Sequence, residues 1–367
     1  MKIILFRSNN FFDSRVNKYH NYYEREGLDY TIVGWDRKGD GLQRENYDFF
    51  DYRAGVSVGG LRALRNHTEW MMFVYEYLKQ HPDVTTIHAC DLNSAFPAAL
   101  YKKKINPKVN LIFDACDWFS ANFANNRLLR KVFERMERFA CKWADELIIC
   151  EPERKAQVTF PLAKDPLVMP NIPEIDEIEL NGDDDRYHFD NNWPTLAYFG
   201  GFTSDRFLVE LIEALKTERL NLLIGGSGNK IVEDKLQEVA NASNIRWFGR
   251  MDMRDGLIMS SKADAIYAMY CKTTPNHIYA APNKYYEAML LGKPLITTKG
   301  TILEEKVNKN MTGYVIEEDM QELHHLLKTL SRDDMRMRGE NARHLWDSKY
   351  VNYISDFFEK TYSGIIR

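Results

Sequence analysis

The chain has 367 residues, a length that suggests two domains. With 44% apolar and 28% charged residues and a net charge of −4, it can bury a sizeable core and lacks the basic excess of a general nucleic-acid binder, so no nucleic-acid partner is expected. Five cysteines without a CxxC pair support neither a disulfide framework nor a zinc knuckle, and they fit a reduced, cytoplasmic compartment. The N-terminal MKIILFRSNNFF is too short an apolar stretch for a signal peptide, and no run of about 18 apolar residues occurs that could span a membrane.

In chain order, short apolar runs alternate with helix-length amphipathic stretches. Ile3–Phe6, Tyr30–Gly34, Val84–His88, Val109–Phe113 and Glu146–Cys150 read as buried strands. Ser14–Glu26, Leu61–Gln80, Ser94–Lys104 and Asn126–Trp143 read as the helices between them. Continuous apolar strands alternating with helices predict an α/β fold with a parallel sheet covered on both faces. Residues 170–194, rich in Pro, Asn and Asp and without helical period, read as an interdomain linker. The pattern then restarts with strands Thr195–Phe199, Leu220–Ile224, Ile245–Phe248, Asp264–Tyr270, Pro294–Thr297 and Gly313–Ile316. Its helices fall near Asp205–Leu215, Lys230–Ala242, Asn283–Leu291 and Met320–Leu330. The expected domains are 1–170 and 171–344, with an amphipathic tail, 345–367, crossing back onto the first. Charge follows this division: residues 1–170 carry +3 and the remainder −7.

Two such sheets in succession predict Rossmann-like domains whose strand carboxyl ends face a cleft, where ligands of open α/β sheets bind. Three segments follow strands. In YFGGFTSDR, Gly200 and Gly201 either let backbone amides approach a phosphate or simply close a tight turn, and Arg206 is expected in the first turn of the next helix, able to clamp a diphosphate. In LLIGGSGNK, Gly225, Gly226 and Gly228 lie between a strand and a helix, either in a turn that packs close to the interdomain cleft or in a plain strand-to-helix turn. The most specific is AAPNKYYEAMLLGKPLIT, where a helix opens after Pro282, carries Glu287 and stops at Gly292. A carboxylate there could accept two ribose hydroxyls, while Lys284 and the amides at the helix start meet phosphate.

These segments, with IRWFGRM, KADAIYAMY, FDACDWFS, ERFACKWADELIICEPERKAQV, VMPNIPEID and IHACDLN, together resemble the family-4 glycosyltransferases over nearly the whole chain. The resemblance implies the GT-B fold, two Rossmann-like domains facing across a cleft. It also implies retaining transfer of a sugar from a nucleotide diphosphate, UDP- or GDP-linked, to a glycan or lipid-linked saccharide in polysaccharide biosynthesis. No other cofactor and no metal is implied. By this likeness the second domain is the donor side: Glu287 holds the ribose, Arg206, Lys284, Gly200 and Gly201 contact the diphosphate, Gly249–Met251, with Arg250 and Met251, borders the base, and Gly225, Asn283 and Tyr285 complete the pocket. Two positions depart from the family pattern. Tyr279 stands where a Glu is frequent, and Cys116-Asp117 where a His-acid pair is frequent, which leaves Asp117 as a candidate catalytic residue toward the sugar. His88, Asp91, Asn276 and His277 are further candidates for sugar contacts. The first domain is the acceptor side, with Asn10, Asp13, Arg15, His88 and Asp91 as candidate lining residues and Gly55–Gly60 as an acceptor loop.

The Asp183–Asp185 run lies in the linker and reads as a solvated loop. In Asn126–Trp143, Leu128, Leu129, Val132, Phe133, Met136, Phe139, Ala140 and Trp143 form one apolar stripe. The opposite face carries six Lys or Arg against Glu134 and Glu137. That face, with Lys102, Lys103 and Lys104, could meet anionic lipid and hold the protein at the inner face of the plasma membrane. Two other classes stay open: a non-catalytic accessory subunit of the same fold, and a sugar-nucleotide epimerase, for which no convincing pair of carboxylates is apparent.

Overall fold

Continuous apolar runs become the central strands of two parallel sheets. The computed structural model describes residues 1–9, 14–54, 60–123, 126–174, 180, 182, 184–273, 275–280 and 282–366. Asn10, Asp13, the 55–59 loop and Asp183 lie outside the described residues. The chain divides into two compact units, Met1–Pro170 with Ile354–Arg367, and Asn171–Tyr353.

The first unit holds β1 (Lys2–Phe6), β2 (Asp29–Trp35), β3 (Tyr47–Phe50), β4 (Thr86–Cys90), β5 (Asn110–Ala115), β6 (Glu146–Ile149) and β7 (Leu167–Val168). They form one parallel sheet in the order β3-β2-β1-β4-β5-β6-β7. Ile3 pairs with Tyr30 on one side and Thr86 on the other, so the order reverses between β1 and β4. Its helices are α1 (Ser14–Arg25), α2 (Gly60–Gln80), α3 (Leu92–Lys104) and α4 (Arg127–Trp143). One sheet face buries Phe6, Trp35, Trp70, Ile87, Leu111 and Phe113, with Trp35 and Trp70 stacked at 5.7 Å. On the other side, α1 packs against the returning C-terminal segment, where Tyr22 stacks on Phe358 at 4.7 Å and Thr86 Oγ1 donates to Ile366 O at 2.8 Å. The return to the first unit begins at Ile354; residues 345–353 stay with the second.

The second unit holds β8 (Thr195–Phe199), β9 (Asn221–Gly225), β10 (Ile245–Trp247), β11 (Ala265–Ala268), β12 (Leu295–Thr298) and β13 (Gly313–Ile316), in the parallel order β10-β9-β8-β11-β12-β13. Its order reverses between β8 and β11. The helices are α5 (Leu208–Ala214), α6 (Lys230–Glu238), α7 (Met253–Ser261), α8 (Pro275–Ile278), α9 (Asn283–Leu290), α10 (Ile302–Asn310), α11 (Met320–Thr329) and α12 (Arg332–Leu345). Asp252, Asp319 and Ser331 cap α7, α11 and α12 by accepting backbone N–H bonds. Leu196, Leu222, Ile224 and Ile296 are fully buried, each contributing about 1.5–3 kcal/mol relative to exposure.

The sequence reading missed β3, β7, α7, α8, α10 and the first half of α12, because short edge strands and short helices carry little periodic signal. It also placed the helix after β8 too early. Phe207 sits in the left-handed region (φ 55°) and α5 begins only at Leu208, so Arg206 lies in the preceding loop rather than in a first turn. The α4 stripe is narrower than the pattern suggested. Phe133 and Ala140 are buried, but Leu128 is 74% and Val132 41% exposed. Glu137, assigned to the polar face, is buried instead and accepts from Ser120 N at 2.9 Å. Lys102 is also buried, paired with Asp145, so it is not part of a basic surface. Among the described residues, no helix is long and apolar enough to cross a membrane.

Candidate functional site

In the second unit, the residues singled out from sequence gather where the strand order reverses, at the carboxyl ends of β8 and β11 and the start of α9. Gly200 follows β8 with φ 144°. A Cβ there would lie 2.8 Å from Lys284 Nζ, so the ammonium rests directly over this backbone. Gly226 after β9 has φ 146°, and a Cβ would come within 2.0 Å of Gly200 O; the two strand-end loops touch only because both lack side chains. Gly200 N–H is committed to Gly225 O at 3.0 Å and so is not the amide offered to a phosphate. Gly201 is exposed, and Tyr198 OH donates to its carbonyl at 2.7 Å.

Lys284 lies one residue inside α9, which begins after Pro282 with its fixed φ. Its Nζ is 4.9 Å from the centre of the buried Tyr198 ring. Burial pushes the Lys284 ammonium down to about 8; the charge of Glu287 opposes this and that of Arg206 adds to it. Glu287, one helical turn further along, is 7% exposed. Arg206 lies over the Tyr270 ring at 4.3 Å, and His277 Nε2 lies 3.5 Å from Arg206 Nη1 and 3.5 Å from Asp205 Oδ2. His277 is fixed in turn by its Nδ1 contact with Cys271 O at 3.0 Å. Two cations and a buried carboxylate thus lie within electrostatic reach of one another at the strand ends.

Other donor-side candidates fall into two groups. Met251 lies against Gly225 at the end of β9, while Arg250 is exposed and Asn283 half-buried at the first position of α9. Tyr285, 2% exposed, packs edge-on against Tyr286 at 5.3 Å. Tyr285 thus packs within α9 beside the site. Its neighbour Tyr286 packs on Tyr350 at 5.2 Å. Asn276 is buried, and Tyr279 is half-buried, with its N–H on Asn276 O at 3.2 Å.

In the first unit, Arg15 and His88 do not line a surface. Arg15 makes a bidentate pair with Asp114 (2.8 and 2.6 Å) and donates to Met169 O at 2.8 Å. Tyr19 OH donates to the same carboxylate at 3.0 Å, and His88 bridges Asp114 (3.4 Å) and Tyr362 OH (2.7 Å). Burial opposes ionisation of Asp114, and the Arg15 charge with the His88 bond outweighs it, holding the carboxyl well below its usual range. Burial likewise pushes the His88 imidazole down. These groups tie β4, β5, α1 and the C-terminal return together. His88, Cys90 and Asp114 offer metal-type ligand atoms within 4.8 Å of one another, but the Arg15 guanidinium already occupies the carboxylate and would repel a cation.

Asp91, by contrast, sits at the carboxyl end of β4, at the other reversal point. It holds φ 61°, an unusual conformation for a non-glycine residue, and its carboxylate pairs with Arg7 and accepts from Cys116 N at 3.2 Å. Arg7 Nη1 also donates to Cys116 Sγ at 3.3 Å, so Cys116 is engaged within this cluster. Asp117, whose side chain is 59% exposed, pairs with the buried Arg154 at 2.8 Å. The Arg7 partner was not singled out from sequence; its position one residue after β1 was the available signal.

Residues 194–333 match the family model described as glycosyl transferases group 1. No curated protein matches the sequence. Among solved structures, the chain is similar to the sucrose-phosphate synthase of Thermosynechococcus elongatus (15% identity, TM-score 0.72, covering 99% of this chain and 100% of that one). It is also similar to Anabaena HepE in complex with UDP and glucose (13%, TM-score 0.69, 99% and 100%) and to WaaG, a glycosyltransferase involved in lipopolysaccharide biosynthesis (16%, TM-score 0.67, 100% and 99%). The coverage of both sheets by these likenesses establishes the fold.

Proposed function

We propose that this chain is a retaining hexosyltransferase that takes its sugar from a nucleoside diphosphate held at the β8/β11 reversal point; the match of residues 194–333 to the group 1 glycosyltransferase model and the GT-B fold support this. The carrying observation is the convergence of Lys284 Nζ over Gly200 with Arg206 and the buried Glu287. In this reading Glu287 accepts the two ribose hydroxyls, Met251 borders the base, and Lys284, Arg206 and Gly201 surround the diphosphate. HepE with bound UDP supports UDP as the carrier.

As the bond from sugar C1 to the phosphate oxygen breaks, its electron pair passes to the diphosphate. The sugar becomes oxocarbenium-like. Lys284 and Arg206 stabilise the growing negative charge more than the ground state. The acceptor hydroxyl adds to C1 on the same face, and its proton passes to the departing phosphate oxygen. The site supplies two cations where other transferases use a divalent metal, so we read the reaction as metal-independent; activity should survive EDTA.

The first unit is the acceptor side in this reading, taking a glycan or lipid-linked saccharide for polysaccharide synthesis. The exposed Leu128 and Val132 beside exposed Arg127, Lys131 and Arg135 on α4 support contact with an anionic membrane, to be tested by flotation with anionic and neutral liposomes. The function is tested by isothermal titration with UDP and GDP followed by donor hydrolysis. UDP should bind the wild type, and Glu287→Ala should weaken it by roughly 10–100-fold, the worth of charge-assisted hydrogen bonds. Absence of nucleotide binding would end the reading. The alternative of a non-catalytic accessory subunit is favoured by Cys116, which faces Arg7 where a His is frequent. Donor hydrolysis by the isolated chain removes that alternative.

A further inference from the structure

Beside the Arg7–Asp91 pair, three side chains of the first unit are arranged in a way that the donor chemistry does not use. Arg37 lies two residues beyond β2, with its guanidinium 4.4 Å from the Trp35 ring centre and Nη2 donating to Ser8 O at 2.9 Å. Among the described residues no carboxylate pairs with it, and its inaccessible Nε has no partner. Burial, and then the charge of Arg7, make the protonated form of Arg37 harder to hold than usual. Asn93, 3% exposed, donates through Nδ2 to Ser8 Oγ (2.7 Å) and lies 3.3 Å from His67 Nδ1, while its Oδ1 has no partner. With His67 Nδ1 accepting from Asn93, His67 Nε2 carries the hydrogen and is a donor. Phe119 packs edge-on against this imidazole at 5.0 Å.

Two arginines therefore crowd together with one carboxylate, Asp91, between them in charge. They do so at the carboxyl ends of adjacent strands β2, β1 and β4, where the sheet order reverses and open α/β sheets bind ligands. A half-buried cation without a counter-charge is costly in the empty protein. A planar guanidinium clamped on an indole is instead well prepared for bidentate pairing with an oxyanion. We propose that Arg37, with Arg7 and His67 Nε2, forms a subsite for an oxyanion, phosphate or carboxylate, carried by the sugar acceptor. Asn93 Oδ1 accepts from a hydroxyl of the sugar that carries this group. The acceptor is then an acidic saccharide or a sugar phosphate rather than a neutral glycan. This rests on reading the first unit as the acceptor side.

The test titrates inorganic phosphate and, separately, glucuronate into wild type, Arg37→Gln and Lys284→Gln, with glucose as the neutral control. Phosphate should occupy two sites in the wild type. Arg37→Gln should weaken one by roughly tenfold, the loss of one charge-assisted pair, and Lys284→Gln should weaken the other. Arg37→Lys, which keeps the charge, should retain more of the first site than Arg37→Gln. Whichever anion loses affinity on Arg37→Gln identifies the group. The proposal is overturned if neither anion responds to Arg37→Gln. Should that variant not fold, a wild-type crystal soaked in selenate decides: density at Arg37 supports the subsite, and its absence there overturns it. Loss of UDP binding would bear on the Lys284 arm alone and leave the Arg37 outcome unaltered, so a failed donor site and a failed acceptor subsite are told apart.

Discussion

Replacing Lys284 with methionine should stabilise the free protein while abolishing its hold on a diphosphate. The Lys284 ammonium is held near 8, against 10.5 for an ordinary lysine, mainly because the fold strips it of water above Gly200 and Tyr198. Charging it in the folded state therefore costs up to about 3–4 kcal/mol at pH 7, at about 1.36 kcal/mol per unit. Methionine fills the same length without the charge and should recover much of this. For a unit of this size the gain corresponds to a rise in Tm of roughly 6–10 °C. The sign with pH is fixed. Between about pH 8 and 10.5 the unfolded chain binds more protons at this position than the folded one, so wild-type stability rises with pH there and the variant's does not. The gap should be largest at pH 7 and close toward pH 10.5. Thermal melts of both proteins across that range, with and without UDP, make the measurement. A variant less stable than wild type at pH 7, or a gap that widens with pH, would refute the desolvated-cation reasoning.

Other outcomes follow from the same geometry. UDP affinity should be flat below about pH 8 and decline above it as free Lys284 loses its proton; titration calorimetry in buffers of different ionisation enthalpy should show proton uptake on binding near pH 8.5. In the first unit, Asp114→Asn leaves Arg15 buried and uncompensated and should cost about 3–5 kcal/mol in denaturant unfolding. The double change Arg15→Met with Asp114→Leu should recover a large part of that loss. On α4, Leu128→Glu with Val132→Glu should leave stability within about 0.5 kcal/mol, since both side chains are exposed, and should reduce binding to anionic liposomes if that surface meets lipid.

Fold class was legible because the strands of both sheets are buried on two sides and read as short apolar runs such as LLIG at 222–225 and LIF at 111–113. Edge strands gave no such signal: YDFF of β3 is half-exposed and carries a charge. The α9 segment was legible because its punctuation is local, a proline before and a glycine after a short helix. Non-local pairing was not. Nothing near Arg15 announces that its partner is Asp114, 99 positions away, so a helix-start arginine and a strand histidine read as ligand contacts when they brace the core. Arg37 was passed over for the same reason; its meaning lies in having no carboxylate partner among the described residues, which no local pattern records. Arg206 shows the limit of helix punctuation, since a single left-handed residue, Phe207, delays the helix and leaves the arginine in a loop over Tyr270.

The most direct test of the whole account is a structure of the crystalline protein with uridine diphosphate bound. The account requires the two phosphates against Gly201, Arg206 and Lys284, with the ribose hydroxyls on the Glu287 carboxylate. A nucleotide seated away from the β8/β11 reversal point, or with its ribose out of reach of Glu287, would contradict it.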